Sequence, residues 1–242
     1  MNFNPLGNKG AECFINSALF CFFDIFGKKY KNYTKENKMT NIRTIIKNFL
    51  ISKSINSDEK LILYYDFTKS KPINADCVIS FFDYCLKNYI KNREKYGLIF
   101  SKEIDYSPIL NLVKGGDFFT ELEKTIKNTI KIYGSLENII CSKVLIFSST
   151  SSFDKIPYEL IFIKNTISYG FSLSSLSLGL CNTGGHFLAI KIKHKENNTF
   201  IIIVDDTTKK IITLKKRENL NLNKLKKIIN FSITPLIIFK QV

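Results

Sequence analysis

Asn8-Lys9-Gly10-Ala11-Glu12-Cys13-Phe14-Ile15-Asn16-Ser17-Ala18-Leu19 sets a glycine-bearing segment in front of a cysteine, and that cysteine opens an apolar run. From Cys13 to Phe26 the apolar side chains (Phe14, Ile15, Ala18, Leu19, Phe22, Phe23, Phe26) cover most faces of a helical period. The spacing predicts a buried helix with Gly27 as its stop. A cysteine at a helix start sits in partial positive charge, which favours the thiolate and leaves backbone donors pointing outward. Cys13 is therefore a candidate nucleophile. Cys21, two turns further on, reads as core packing. Glu12 would oppose ionisation of Cys13 if its carboxylate faced the sulfur.

A thiol that attacks a carbonyl needs a base, an orienter for that base and donors for the oxyanion. The chain has two histidines. His186 follows Gly184 and Gly185 and heads an expected strand over 187–192, where glycines would let an extended peptide approach the backbone. His194 falls in the charged turn Lys193-His194-Lys195-Glu196 and is expected in a solvated loop. Asp205 and Asp206 end the run 199–204, 19 and 20 positions after His186. A hairpin around 196–198 would bring the end of the second strand back beside the start of the first. Asp205 would then accept from one ring nitrogen and fix the tautomer. Strand alternation would turn Asp206 to the opposite side.

Outward from these residues, the first hundred positions read as helical, with further helices over 40–50 and from Asp76. An acid in the first turn suits the helix dipole. From about Lys143 the texture changes to short β-branched runs at 143–147, 158–163, 187–192, 199–204, 210–214 and 235–239, with one late helix over 218–229. This predicts an α+β layout with an antiparallel sheet, and a site between the two halves.

At 242 residues with 45% hydrophobic and 24% charged side chains, the chain is expected to fold as one globular domain, 1–242. The formal net charge is +15, yet 33 of the 36 cations are lysine, and lysine, isoleucine and asparagine make up roughly four residues in ten. AT-rich codons encode all three, so the charge reads mainly as codon drift. Nucleic-acid binding is expected to be absent or non-specific, because the lysines are spread out and no recognition motif accompanies them. The six cysteines include no CxxC pair, so no structural zinc site, metal or cofactor is expected. The start lacks a charged n-region and an apolar h-region, and no apolar run approaches the ~20 residues of a membrane helix. Reduced cysteines and a cytoplasmic or nuclear setting, without membrane association, are the expectation.

Together the fragments resemble the ubiquitin-specific proteases, a family of papain-like cysteine proteases. Residues 8–19 are similar to that family's cysteine box, N-x-G-[NA]-T-C-[YF]-x-N-S-x-L. Gly184-Gly185-His186-Phe187-Leu188-Ala189 resembles its histidine box, G-G-H-Y-x-A, and Val204-Asp205-Asp206 its F-[ND]-D. Ile156-Pro157-Tyr158-Glu159-Leu160 and Pro235-Leu236-Ile237-Ile238-Phe239 resemble two of its strands, and the order along the chain agrees.

The resemblance implies Cys13 as nucleophile, His186 as base, Asp205 as orienter, Asn8 as the oxyanion-hole side chain and Asp206 as an assisting acid. It implies Asp76, Gly184 and Gly185 as contacts for the modifier's tail. The implied fold has a helical thumb (1–100), reduced zinc-free fingers (101–155) and a sheet palm (156–242). The implied activity is thiol-dependent hydrolysis after the C-terminal glycine of ubiquitin or a ubiquitin-like modifier; the oligomeric state does not follow from the sequence, with a monomer favoured. Glu12 stands where the family has threonine, and Ile79 where its helix signature has glutamate, so strict preference for ubiquitin does not follow. The implied member is a minimal one, from an AT-rich virus of eukaryotes acting in its host's cytoplasm or from an intracellular parasite. The rival readings are a catalytically dead ubiquitin-binding module of the same fold and a basic nucleic-acid-binding protein.

Overall fold

The structure, a computed structural model, describes residues 5–7, 12–27, 41–70, 77–89, 109–112, 117–133, 142–180, 185–215 and 217–242. Four helices come first: α1 (Cys13–Phe26), α2 (Asn41–Ser52), α3 (Ser57–Ser70) and α4 (Cys77–Tyr89). They are followed by β1 (Ile109–Asn111), α5 (Phe118–Tyr133), β2 (Val144–Ser148), β3 (Lys155–Pro157), β4 (Glu159–Lys164) and β5 (Ile167–Leu180). The chain ends with β6 (Phe187–Lys195), β7 (Asn198–Val204), β8 (Lys209–Lys215), β9 (Asn219–Asn221), a short α6 (Leu222–Lys226) and β10 (Phe231–Gln241).

Seven strands run in the order β1-β2-β10-β5-β6-β7-β8. The 14-residue β5 is long enough to carry two neighbours on one edge: β4 pairs with 167–172 and β6 with 175–179, while β10 lines the other edge. All these pairs are antiparallel, as expected, except β1 with β2, which are parallel. The expected strands are present.

The central strands are buried on both faces. Along β10, Leu236 and Ile238 join the core under α1–α4, while Ile237 and Phe239 join a second core on the opposite face with α5 and α6. In β2, Val144 and Ile146 divide from Leu145 and Phe147 in the same way. That is why these segments read as unbroken apolar runs instead of alternating ones.

α1 is buried along its whole length and ends where Gly27 N–H reaches Phe23 O at 2.8 Å. Its ring contacts, Phe22 with Phe82 and Phe14 with Phe81, fasten it to α4. α3 begins at a reciprocal cap: Asn56 Oδ1 accepts from Glu59 N–H at 2.8 Å, and Glu59 Oε2 accepts from Asn56 N–H at 3.0 Å.

Two expectations are corrected. The late helix over 218–229 is only α6, because Asn219–Asn221 pairs with β3 first and Asn221 then caps Lys224 N–H at 2.9 Å. His194 is not in a solvated loop but in β6, where Nδ1 meets Thr199 Oγ1 at 3.0 Å and the ring packs edge-on against Tyr158. The segment expected as reduced fingers, 101–155, supplies β1, α5 and β2, and β2 pairs with β10 in the main sheet.

Candidate active site

Cys13 is the first residue of α1, buried at 8% exposure, with its thiol donating to Gly185 O at 3.7 Å. Gly185 has φ +96°, a backbone state that L side chains rarely adopt, and no atom lies within 4 Å of where a Cβ would stand. The glycine is therefore required by backbone conformation, not by crowding. His186 follows directly, and its carbonyl accepts from Leu180 N–H at 2.9 Å, which sews the approach to β6 onto the end of β5.

The hairpin expected between β6 and β7 turns through Glu196 and Asn197, with Lys195 opposite Asn198 and Ala189 opposite Val204. Its register carries residue 205 back toward 186. His186 Nε2 lies 2.7 Å from Asp205 Oδ1, and that oxygen also accepts from Asp206 N–H at 2.7 Å. Nε2–H donating to the carboxylate leaves the lone pair on Nδ1. Asp205 N–H bonds Thr208 O at 3.0 Å, so the chain has left the strand and begun a turn. Alternation no longer applies there, and Asp206 does not point away from the site as expected. Its Oδ2 lies 3.7 Å from His186 Nδ1, and its Oδ1 accepts from Asn16 Nδ2 at 2.7 Å.

Burial pushes the Cys13 thiol above the ordinary cysteine range, and the Asp206 carboxylate pushes the same way, while the Phe187 N–H opposes them. Glu12 does not add to this as the sequence suggested it could: its carboxylate is turned to Lys60 Nζ at 2.6 Å. Ser17, one turn into α1, bonds Ser177 Oγ at 2.7 Å and Leu188 O at 2.9 Å, locking the helix onto β5 and β6.

The structure thus brings Cys13, Gly185, His186, Asp205 and Asp206 together. Asn8, Asp76 and Gly184 lie outside the described residues. His186, Asp205 and Asp206 place donor atoms within 4.8 Å of one another, but the contacts above already engage them within the site. Sequence reasoning gave no role to Asn16 or Lys60. Asn16 stood inside the quoted segment; Lys60 sits in a helix without a clear apolar stripe and carried no signal.

No protein-family model matches the sequence, and no curated protein matches it. Solved structures do. The pseudoubiquitin hydrolase of Saccharomyces cerevisiae Pan2 superposes with a TM-score of 0.62 at 12% identity, covering 99% of this chain and 85% of that one. The fold is ubiquitin-hydrolase-like. The longer Pan2 pseudoubiquitin hydrolase–RNA exonuclease module, solved with A7 RNA, gives 0.66 at 10% identity, with 99% of this chain but only 54% of that one covered. Coverage falls when the exonuclease is part of the solved chain, so the match lies in the hydrolase-like part. An essential yeast splicing factor gives 0.57 at 12% identity over 99% of this chain and 69% of its own. Among the described residues, no helix is long and apolar enough to cross a membrane.

Proposed function

We propose that the chain is a thiol-dependent hydrolase of the ubiquitin-specific protease type, releasing ubiquitin or a ubiquitin-like modifier by cleavage after its C-terminal glycine. The observation that carries this reading is the 2.7 Å contact of His186 Nε2 with Asp205 Oδ1, formed beside a cysteine that opens a buried helix. In this reading α1–α4 are the thumb and the sheet, with β1 and β2 included, is the palm. Such an enzyme would work in the cytoplasm or nucleus.

His186 Nδ1 takes the Cys13 proton, and the thiolate adds to the glycine carbonyl carbon. The carbonyl electron pair moves to oxygen, where Asn8 and backbone N–H groups receive it. As the tetrahedral species collapses, the C–N bond breaks and the imidazolium gives its proton to the departing lysine amine. Water, deprotonated by His186, then splits the thioester into a glycine carboxylate and the free thiol.

The second reading, a modifier-binding module without turnover, is favoured by one observation. The thiol is bonded to Gly185 O and held protonated by burial and Asp206. A ubiquitin-propargylamide probe separates the two, because only a thiolate aligned with the tail's terminal carbon forms the adduct. Labelling at Cys13 supports the hydrolase; tail binding without labelling supports the module.

The two aspartates are separable as well. Asp205→Ala is expected to lower kcat/KM on a ubiquitin-type fluorogenic substrate by ~10²–10⁴-fold, since a dyad and oxyanion donors still act. Asp205→Asn is expected to be milder, because an amide oxygen still accepts from the ring N–H. A loss on Asp206→Ala far larger than that on Asp205→Ala would make Asp206 the orienter.

A further inference from the structure

Lys60 is 1% exposed, a rare state for lysine unless its charge is matched. On its helix it shares the buried side with Leu63 and Phe67, while Leu61, Ile62 and Tyr65 stay exposed. The acceptors around Nζ are Leu6 O at 3.2 Å, Gly7 O at 2.9 Å, Asn16 Oδ1 at 3.3 Å and Glu12 Oε2 at 2.6 Å. Two precede Cys13 by several residues, one is its immediate neighbour and one lies three positions into its helix. One cation therefore gathers the chain on both sides of the candidate nucleophile.

The amide of Asn16 transmits this further. With Oδ1 turned to the ammonium, Nδ2 faces Gly7 O at 2.8 Å and Asp206 Oδ1 at 2.7 Å. The opposite orientation would set an NH₂ against an ammonium and an oxygen against two acceptors, so Lys60 fixes which way the amide points. Gly7 N–H in turn donates to Asp206 O at 2.7 Å. Asp206 is thus held at its backbone and at its carboxylate by groups that Lys60 holds.

We propose that Lys60 is a positioning residue of the site: through Gly7 and Asn16 it keeps Asp206 against Cys13 and His186, and keeps in place the segment that leads into Asn8. The inference rests on the hydrolase reading for its effect on turnover, but not for its effect on the thiol. Among the described residues, the charged group acting on that thiol is Asp206; His186 lies against Asp206 and Asp205, and Glu12 is paired to Lys60.

The test is the double variant Lys60→Met/Glu12→Gln. It removes one positive and one negative charge that pair with each other, so net charge is unchanged and their direct effects on the thiol oppose one another. The pH profile of Cys13 alkylation by iodoacetamide is followed by site-resolved mass spectrometry, with buried Cys21 and Cys85 reporting any general opening. With Asp206 released, the Cys13 profile is expected to move to lower pH. The kcat on a ubiquitin-type substrate is expected to fall by about 10–100-fold, the scale of a ~1 Å misplacement, with a smaller change in KM. A profile and a kcat equal to those of the parent chain would overturn the proposal.

Should Cys21 and Cys85 become alkylated along with Cys13, the double variant has opened, and Asn16→Ala decides instead. It cuts the arm to the Asp206 carboxylate and leaves the Lys60–Glu12 pair in place, so the same shift is expected and an unmoved profile overturns the proposal. If the parent chain takes no ubiquitin probe, the hydrolase reading fails, while the alkylation profiles still decide whether Lys60 holds Asp206.

Discussion

Cys13→Ala is expected to remove ubiquitin-probe labelling and to lower hydrolysis of a ubiquitin-type fluorogenic substrate by about 10⁴-fold or more, the scale seen when a nucleophile is deleted from a unit that acts together. His186→Ala is expected to fall to a similar floor, because a thiol held above its ordinary pKa cannot attack without a base. The fold should survive the first change, because the thiol's contact with Gly185 O is long, at 3.7 Å. Cys21→Ala is the control. Its sulfur is fully buried among α1 and sheet atoms, which pushes its pKa up to about 12 and leaves it inert at neutral pH. Full turnover in Cys13→Ala, with loss on Cys21→Ala, would overturn the assignment.

Asp24→Asn is expected to be the most destabilising single change on the described surface between α1 and the sheet. Its carboxylate is buried, and it accepts from Lys191 Nζ, from Lys240 Nζ at 2.9 Å, and from the hydroxyls of Ser174 and of Ser175 at 3.1 Å. Taking the charge away leaves two largely covered ammonium groups without their shared counter-ion, a change that costs about 3–5 kcal/mol in comparable settings. The chain has no tryptophan, so urea unfolding is followed by far-UV circular dichroism. Glu123→Gln is the contrast, since the Glu123–Lys127 pair is exposed on both sides and its loss should not move the midpoint. An unshifted midpoint for Asp24→Asn would mean that the two lysines find water instead.

Much of the site was legible because it is built from local signals. Cys13 had to open a helix, since glycine and polar residues precede it and a helical period with apolar residues on most faces follows. His186 and Asp205 had to meet, since two β-branched runs flank a short polar turn. Asp206 was misplaced for an equally physical reason: the alternation argument holds only inside a strand, and the chain turns at Asp205. β5 is absent from the expected strands because Ser172, Ser174, Ser175 and Ser177 interrupt its leucines and no β-branched run marks it.

Those serines show where local reasoning ends. They are tolerated because Asp24 and Ser17 of α1 meet three of them. Gly179 follows on the same strand, where a Cβ would stand 2.7 Å from Ile233 Cγ1 and 3.2 Å from the Phe187 ring. The sequence by itself determined the helix that carries Cys13, the hairpin that returns Asp205 to His186, and the order of helices before strands, because periodicity and turn chemistry act over a few residues. The tertiary structure alone decided that Lys60 is buried, that Glu12 turns away from the sulfur, and that Asp206 and Asn16 close around the site. Each depends on groups far apart in the chain whose charges and hydrogen bonds can be matched only once α1, α3 and the sheet have packed together.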